Sequence, residues 1–100
     1  MVKFKFNDEV VKPHIEAIAN LGIQRHHIEF EQIMKIKELL NIDSFESVEE
    51  LRAVRNSVVK LFGDKEDEQK SYEEAERYHW AMSGCVMVID SRMWDISGEV

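Results

Sequence analysis

The sequence predicts a mainly α-helical protein of three to four helices, with a short extended segment at its N-terminus. Apolar residues recur at intervals of three and four along most of the chain, which is typical of helices that bury one side. With 100 residues, 44% hydrophobic and 33% charged, the chain has enough apolar side chains to build a core. We therefore expect residues 1–100 to form a single helical domain.

Proline, glycine and asparagine residues indicate where the first two helices begin and end. The first is predicted over residues 12–21, because Pro13 suits the first turn of a helix and Gly22 is a common C-terminal stop. The second is predicted over residues 26–40, where the apolar periodicity continues until Asn41.

The third helix has the clearest start signal. Ser47 and Glu50 form a capping box, in which each side chain satisfies a free amide of the first turn. Gly63 is predicted to end this helix, and the charged residues 64–70 would connect it to the next. From Tyr72 onward the apolar spacing holds for over twenty residues, so one long final helix is expected.

A small α+β fold is the alternative. Residues 2–6, VKFKF, alternate apolar and basic side chains, which is typical of a strand or an extended arm. If Ser83 and Gly84 broke the final helix, the apolar residues 85–89 would form a buried strand that could pair with residues 2–6. Short apolar runs do not distinguish helix from strand by periodicity alone.

Residues 78–89, YHWAMSGCVMVI, contain no Asp, Glu, Lys or Arg. As a helix, this stretch would be apolar or small on nearly every side and would have to be covered on every side. Three other short elements cover one or two faces, so the remaining face is predicted to contact another subunit in a symmetric assembly. The predicted self-association residues are Trp80, Ala81, Gly84, Cys85 and Val88.

Charge is distributed unevenly. Residues 1–40 hold six Lys/Arg and six Asp/Glu, whereas residues 41–100 hold seven against fourteen, which accounts for the whole net charge of −7. Such a field repels nucleic-acid backbones and anionic membranes and favours a larger protein partner with a basic surface. The plainer alternative is a solvated helix face with ion pairs such as Glu66 to Lys70. The predicted partner-binding residues are Glu46, Glu49, Glu50, Glu66, Asp67 and Glu73.

Cys85 is the only cysteine, which rules out a disulfide within the chain and a Cys-rich zinc site. Its apolar neighbours predict an inert, buried thiol. The N-terminal residues lack the apolar stretch of a signal peptide, and the longest uncharged run is too short to span a bilayer. These features predict a cytoplasmic protein.

A second hypothesis is a protein that binds or sequesters a nucleotide signal in pockets between subunits. The chain has no glycine-rich phosphate loop and no GxSxG motif, so positive side chains and an aromatic ring would have to make the contacts. The predicted ligand-binding residues are Arg25, His26, Arg77, His79, Arg92 and Trp94.

A third hypothesis, an all-helical metal-dependent enzyme, depends on Glu76 and His79, which have the ExxH spacing used in di-iron bundles. The sequence offers no second ExxH. His26 and His27 are adjacent, so their side chains point in different directions. No catalytic residue, metal ligand or cofactor is therefore predicted.

The leading hypothesis is a non-enzymatic, acidic, oligomeric interaction protein that binds a larger protein and regulates or inhibits it. Its final helix would hold the assembly together, and the acidic face of residues 46–76 would meet the partner. A short, cysteine-poor chain without catalytic motifs is typical of the small accessory proteins that phages and mobile elements encode.

Overall fold

The fold is built from helices, as the apolar periodicity predicts, and the mainly α class is confirmed. The computed structural model describes residues 7–25 and 27–98. In chain order the α-helices are α1 (Asn7–Val11), α2 (Ile15–Ala19), α3 (Phe30–Leu40), α4 (Val48–Glu68) and α5 (Tyr72–Ser97), with 3-10 turns at Lys12–His14 and Ile42–Ser44.

The two long helices, α4 and α5, form an antiparallel hairpin that carries most of the core. His79 lies beside Glu66 near the turn, and Asp90 lies beside Arg55 farther along, with Arg55 Nε and Asp90 Oδ1 3.1 Å apart. Apolar side chains at intervals of three and four line the seam, as in other packed helix pairs. The completely buried members of α4 and α5 are Leu51, Val54, Val58, Phe62, Cys85 and Ile89.

The short helices α1 and α2 lie along the hairpin, α1 against α4 and α2 against α5. The first helix therefore starts at Asn7, not at residue 12 as predicted, and it is interrupted rather than continuous. Pro13 lies in the 3-10 turn, where its missing amide hydrogen removes one helical bond. Asp8 holds α1 in place by accepting hydrogen bonds from Ser57 Oγ (2.7 Å) and Lys60 Nζ (2.9 Å).

Replacing Asp8 with asparagine is expected to lower the free energy of unfolding at neutral pH by about 0.5–1 kcal/mol, because the ion pair is partly exposed and screened by water. Hydrogen bonds from Lys60 and Ser57 lower the pKa of the Asp8 carboxyl below its ordinary value. A lowered pKa in the folded state stabilises the fold above the unfolded-state value of about 4, and this contribution is lost as the pH falls further. Urea unfolding at pH 7 and pH 3 measures this contribution of Asp8 to the free energy of unfolding. The difference between parent and variant should be smaller at pH 3 than at pH 7, and an equal or larger difference at pH 3 would contradict the assignment.

The helix predicted over residues 26–40 starts at Phe30 instead. Backbone hydrogen bonds between Gln24 and His27 close a tight turn, with nitrogen-to-oxygen distances of 3.0 and 3.3 Å, and this turn is incompatible with helix through residue 27. The predicted end is confirmed, because Asn41 has a φ of 53° and closes α3 in the left-handed conformation.

The prediction that Gly63 ends the third helix is wrong, since α4 continues for five more residues to Glu68. The Ser47 cap is confirmed, with the Glu50 amide donating to Ser47 Oγ at 3.0 Å. A second serine cap starts α5, where the Glu74 amide donates to Ser71 Oγ at 3.2 Å. The chain therefore reverses at residues 69–71 rather than over the whole charged segment.

The α+β alternative is wrong for residues 85–89, which lie inside α5 without a break at Ser83 or Gly84. Its other strand, over residues 2–6, lies outside the described residues. In the described ranges, no helix combines the length and apolar character that crossing a lipid bilayer requires.

Candidate functional site

Trp80 lies where three surface depressions of the described chain adjoin. Its partly exposed ring borders three adjoining depressions. Their walls come from the first half of α5, the last turns of α4, and the segment of residues 22–28 that precedes α3. We call this region the Trp80 surface. It is where the helical hairpin meets the irregular part of the chain.

Local contacts fix the segment of residues 22–28 against α5. Gly22 has a φ of 79°, a left-handed conformation that glycine adopts without strain, so the chain can turn sharply after α2. Gln32 then ties both sides of the segment together, because its Nε2 donates to the Leu21 carbonyl at 2.9 Å and its Oε1 accepts from the Glu29 amide at 2.9 Å. Ile23 and Ile28 are thereby held over Gly84 of α5.

The largest depression, of about 370 Å³, lies toward the α4–α5 turn. Tyr72 and Trp80 provide aromatic walls, and Glu66 and Glu76 provide carboxylates. His79 joins the two groups, since its Nδ1 is 3.5 Å from Glu66 Oε1 and its ring meets the Trp80 ring edge-on at 4.6 Å between centroids. Arg25 also lines the depression.

The charges lining this depression suit a cation better than an anion. Two carboxylates, Glu66 and Glu76, face one guanidinium, Arg25. Aromatic faces attract ammonium and guanidinium groups, and carboxylates bind them through hydrogen bonds. A nucleotide phosphate would meet net negative charge here, which weakens the physical case for the nucleotide-signal hypothesis.

Two of the predicted ligand-binding residues, Arg77 and Arg92, hold parts of the fold together. Arg77 donates to Asn20 Oδ1 (2.7 Å) and Glu74 Oε1 (3.2 Å), and it supports Tyr78 in tying α5 to α2. Arg92 donates to the backbone carbonyls of residues 43 and 45 at 3.3 and 3.1 Å, which holds the 3-10 turn against α5.

The other four predicted ligand-binding residues do not form a single site. Arg25 and His79 lie together on the Trp80 surface. Trp94 is 54% exposed but lies fourteen residues, or about 21 Å, further along α5 than Trp80. His26 lies outside the described residues. The predicted six-residue site is therefore divided among unrelated places.

Tyr78 illustrates how this part of the hairpin is held together. The buried ring places its hydroxyl 2.6 Å from Glu16 Oε2, to which it donates a hydrogen bond. The bond to the Glu16 carboxylate, together with burial, raises the pKa of the Tyr78 phenol above its ordinary value. The bond links α2 to α5 directly beneath the rim of the Trp80 surface.

The predicted acidic face of residues 46–76 is not continuous. Glu46, Glu49 and Glu50 lie at the start of α4, whereas Asp67 lies in its last turn. Eighteen residues of helix separate Glu49 from Asp67, which corresponds to about 27 Å. The two groups of acids are therefore at opposite ends of the hairpin, and only Glu66, Asp67 and Glu73 are near the α4–α5 turn.

The predicted self-association surface is misplaced. Ala81, Cys85 and Val88 are at most 2% exposed, and Gly84 is buried beneath Ile23 and Ile28. The chain therefore covers the side chains of Ala81, Cys85 and Val88 by itself, whereas Gly84 borders the surface groove through its backbone. Trp80, the fifth predicted residue, stays partly exposed.

Cys85 is enclosed by the core, and burial raises the pKa of its thiol to about 12. Because the thiolate is the reactive species, the Cys85 thiol is a poor nucleophile at neutral pH.

Glu76 and His79, the pair behind the metal-enzyme hypothesis, line the same depression as Glu66. Within residues 7–25 and 27–98, however, no three His, Cys, Asp or Glu side chains come together in an arrangement that could hold a metal ion. The described residues therefore add no further metal ligand to Glu76 and His79 in support of the enzyme hypothesis.

Three residues that shape the Trp80 surface were not predicted. Ile23 and Ile28 come from outside any predicted core stripe, and Met87 was assigned only to the apolar stretch. One signal was present in the sequence: a glycine inside a strongly apolar helix indicates that another part of the chain approaches closely. Which segment approaches depends on the turn at residues 22–27.

Comparison of the chain with protein-family models, with curated proteins and with solved structures finds no match.

Proposed function

We propose that this protein is a non-catalytic binding protein that engages a basic segment of a larger protein through the acidic turn between α4 and α5. The single observation that carries the proposal is the concentration of charge at this turn. Residues 64–76 contain seven Asp or Glu and only two Lys, so a net charge of −5 out of −7 lies at one end of the hairpin.

Several of these carboxylates are available to a partner. Glu66, Glu68 and Glu74 have ion-pair partners within the chain. Within the part of the chain that the structure describes, Asp67, Glu73 and Glu76 have none. Asp67 and Glu73 are exposed on either side of the helix start at Ser71, and Glu76 is partly exposed in the first turns of α5.

Tyr72 adds an aromatic contact in the middle of the acidic turn. Its side chain is 78% exposed, so its aromatic face is open to a partner. Arginine stacks on aromatic rings and pairs bidentately with carboxylates, so Tyr72 with Glu73 and Glu76 suits a partner rich in arginine or lysine. Occupying a basic groove would regulate or inhibit a partner that uses this groove for an anionic ligand, a role suited to an accessory protein of a phage or mobile element.

A labelled octa-arginine peptide serves as the probe for this surface. We expect the parent protein to bind it with an affinity that falls as salt is raised, because the attraction is electrostatic and exposed. Replacing Asp67 and Glu73 together with lysine should weaken binding at least about 10-fold, which corresponds to about 1.4 kcal/mol. Fluorescence anisotropy at several salt concentrations measures the dissociation constants.

The matched control reverses the same number of charges at the other end of α4. The double variant Glu46→Lys and Glu49→Lys changes the net charge equally but leaves the α4–α5 turn intact. It should bind within about 3-fold of the parent. Equal losses in the two double variants would mean that net charge, not the acidic turn, attracts the peptide, and would refute the proposal.

A further inference from the structure

One side of α5 is left uncovered along most of its length. Three large residues, Trp80, Met87 and Trp94, follow each other at intervals of seven, and at about 100° per residue they fall within one narrow sector of the helix. Met87 is 43% and Trp94 54% exposed. Contacts on either side bound this sector, with α4 meeting Asp90 and residues 23 and 28 meeting Gly84.

An apolar groove opens into the same sector. It has a volume of about 310 Å³ and is lined mainly by Ile23, Ile28, Trp80 and Met87, with the backbone at Gly84 as its floor. The groove has room for one indole ring. An exposed indole, that of Trp94, lies on the same side of the same helix, less than two helical turns beyond Met87.

We propose that a second copy of this chain covers this face, with the two α5 helices packed antiparallel about a two-fold axis at Met87. Trp80 and Trp94 are each seven residues from Met87, so Trp94 of one copy lies against Trp80 and the groove of the other. Ser83 and Ser91 are each four residues from Met87 and face each other as small neighbours of the central methionines. A contact in which each copy supplies both the groove and the ring is isologous and closes as a dimer.

The charge distribution favours the antiparallel arrangement. A parallel pair would bring the two acidic turns of residues 64–76 side by side, with a net charge of −5 on each. In the antiparallel pair these turns are at opposite ends, and repulsion between exposed charges farther apart than about 10 Å is largely screened. The acidic turns also stay accessible, so the dimer does not depend on the proposed partner-binding function.

The expected affinity follows from the size of the surface. The strip from Trp80 to Trp94 is about 21 Å long and one helix wide, which is smaller than a standard protein interface. We therefore expect a dissociation constant in the micromolar range.

Analytical ultracentrifugation from about 1 μM to about 1 mM tests the dimer. The mass should rise from one chain to two over this range. Met87→Glu, which places two like charges at the axis, and Trp94→Ala, which removes the ring, should each raise the dissociation constant at least about 10-fold. Val59→Glu, at an apolar position on α4 that is 46% exposed, should leave it unchanged. A one-chain mass at every concentration would overturn the proposal. So would a Val59→Glu variant whose dissociation constant rises as much as that of Met87→Glu.

Disulfide formation tests the register. A mixture of Ser83→Cys and Ser91→Cys proteins should oxidise mainly to the mixed dimer, and Met87→Cys should crosslink to itself. The parent protein is the control, because its Cys85 is buried and should not crosslink. If Ser83→Cys paired with itself as readily as with Ser91→Cys, the antiparallel register centred on Met87 would be wrong.

Discussion

Replacing Phe62 with alanine is expected to lower the free energy of unfolding by about 3–5 kcal/mol, the usual cost of removing a fully buried aromatic ring. Phe62 is completely buried and is among the largest side chains in the core. It lies on α4, the helix whose contacts with α5 are the most extensive in the molecule. A domain of this size is stable by only about 5–15 kcal/mol, so the variant would lose a large part of its stability.

Urea unfolding followed by circular dichroism measures the effect of Phe62→Ala, and Val59→Ala is the matched control. Val59 is on the same helix, three residues earlier, but is 46% exposed. Its replacement should change the free energy of unfolding by less than about 1 kcal/mol. If Val59→Ala cost as much as Phe62→Ala, the orientation of α4 toward the core would be wrong.

The existence of the long helices, the start of α4 and the end of α3 were predictable because they depend on nearby residues, whereas the starts predicted at residues 12 and 26 were wrong. Apolar spacing indicated the long helices. The Ser47 side chain caps the start of α4, and Asn41 ends α3 in the left-handed conformation, so both signals depend on residues close in sequence. Gly63 misled the prediction because glycine ends a helix only when the chain needs a positive φ there. The cost of about 1 kcal/mol for a glycine inside a helix is smaller than the gain from burying Phe62 beside it.

The Trp80 surface was only partly predictable, because its parts are distant in sequence. Trp80, His79 and Arg25 were singled out by residue type and do lie together. Ile23 and Ile28 could not be placed without the turn that the Gln24 and His27 backbones close. The sequence analysis also underestimated how much of α5 the rest of the chain covers.

The acidic face was predicted from charge alone, which ignores length along a helix. Glu49 and Asp67 were grouped together although the length of α4 separates them by about 27 Å. Charge counts therefore show how acidic the C-terminal part of the chain is, and not how far an acidic surface extends along α4. The extent depends on where the chain turns, which is at residues 69–71, whereas the predicted connector was residues 64–70.

Replacing Gly84 with leucine is expected to destabilise the fold by about 3 kcal/mol, because the new side chain would push Ile23 and Ile28 away from α5. A Cβ at this position would lie 2.9 Å from Ile23 Cδ1 and 3.1 Å from Ile28 Cδ1. Gly84→Ala should be much milder, within about 1 kcal/mol of the parent. Small shifts of the two flexible isoleucine tips relieve its contacts, and alanine favours helix over glycine by about 1 kcal/mol.

Gly63→Leu is the matched control for Gly84→Leu, since both glycines are inside long helices and a Cβ at Gly63 meets nothing within 4 Å. Leucine at this position should leave the free energy of unfolding unchanged or raise it by up to about 1 kcal/mol. Urea unfolding at low protein concentration compares the two variants. If Gly84→Leu unfolded like the parent and changed only the mass in solution, Gly84 would contact another subunit, as the sequence predicts, and the segment of residues 22–28 would not cover it. The structure predicts the opposite result, in which Gly84→Leu lowers the free energy of unfolding because it displaces Ile23 and Ile28.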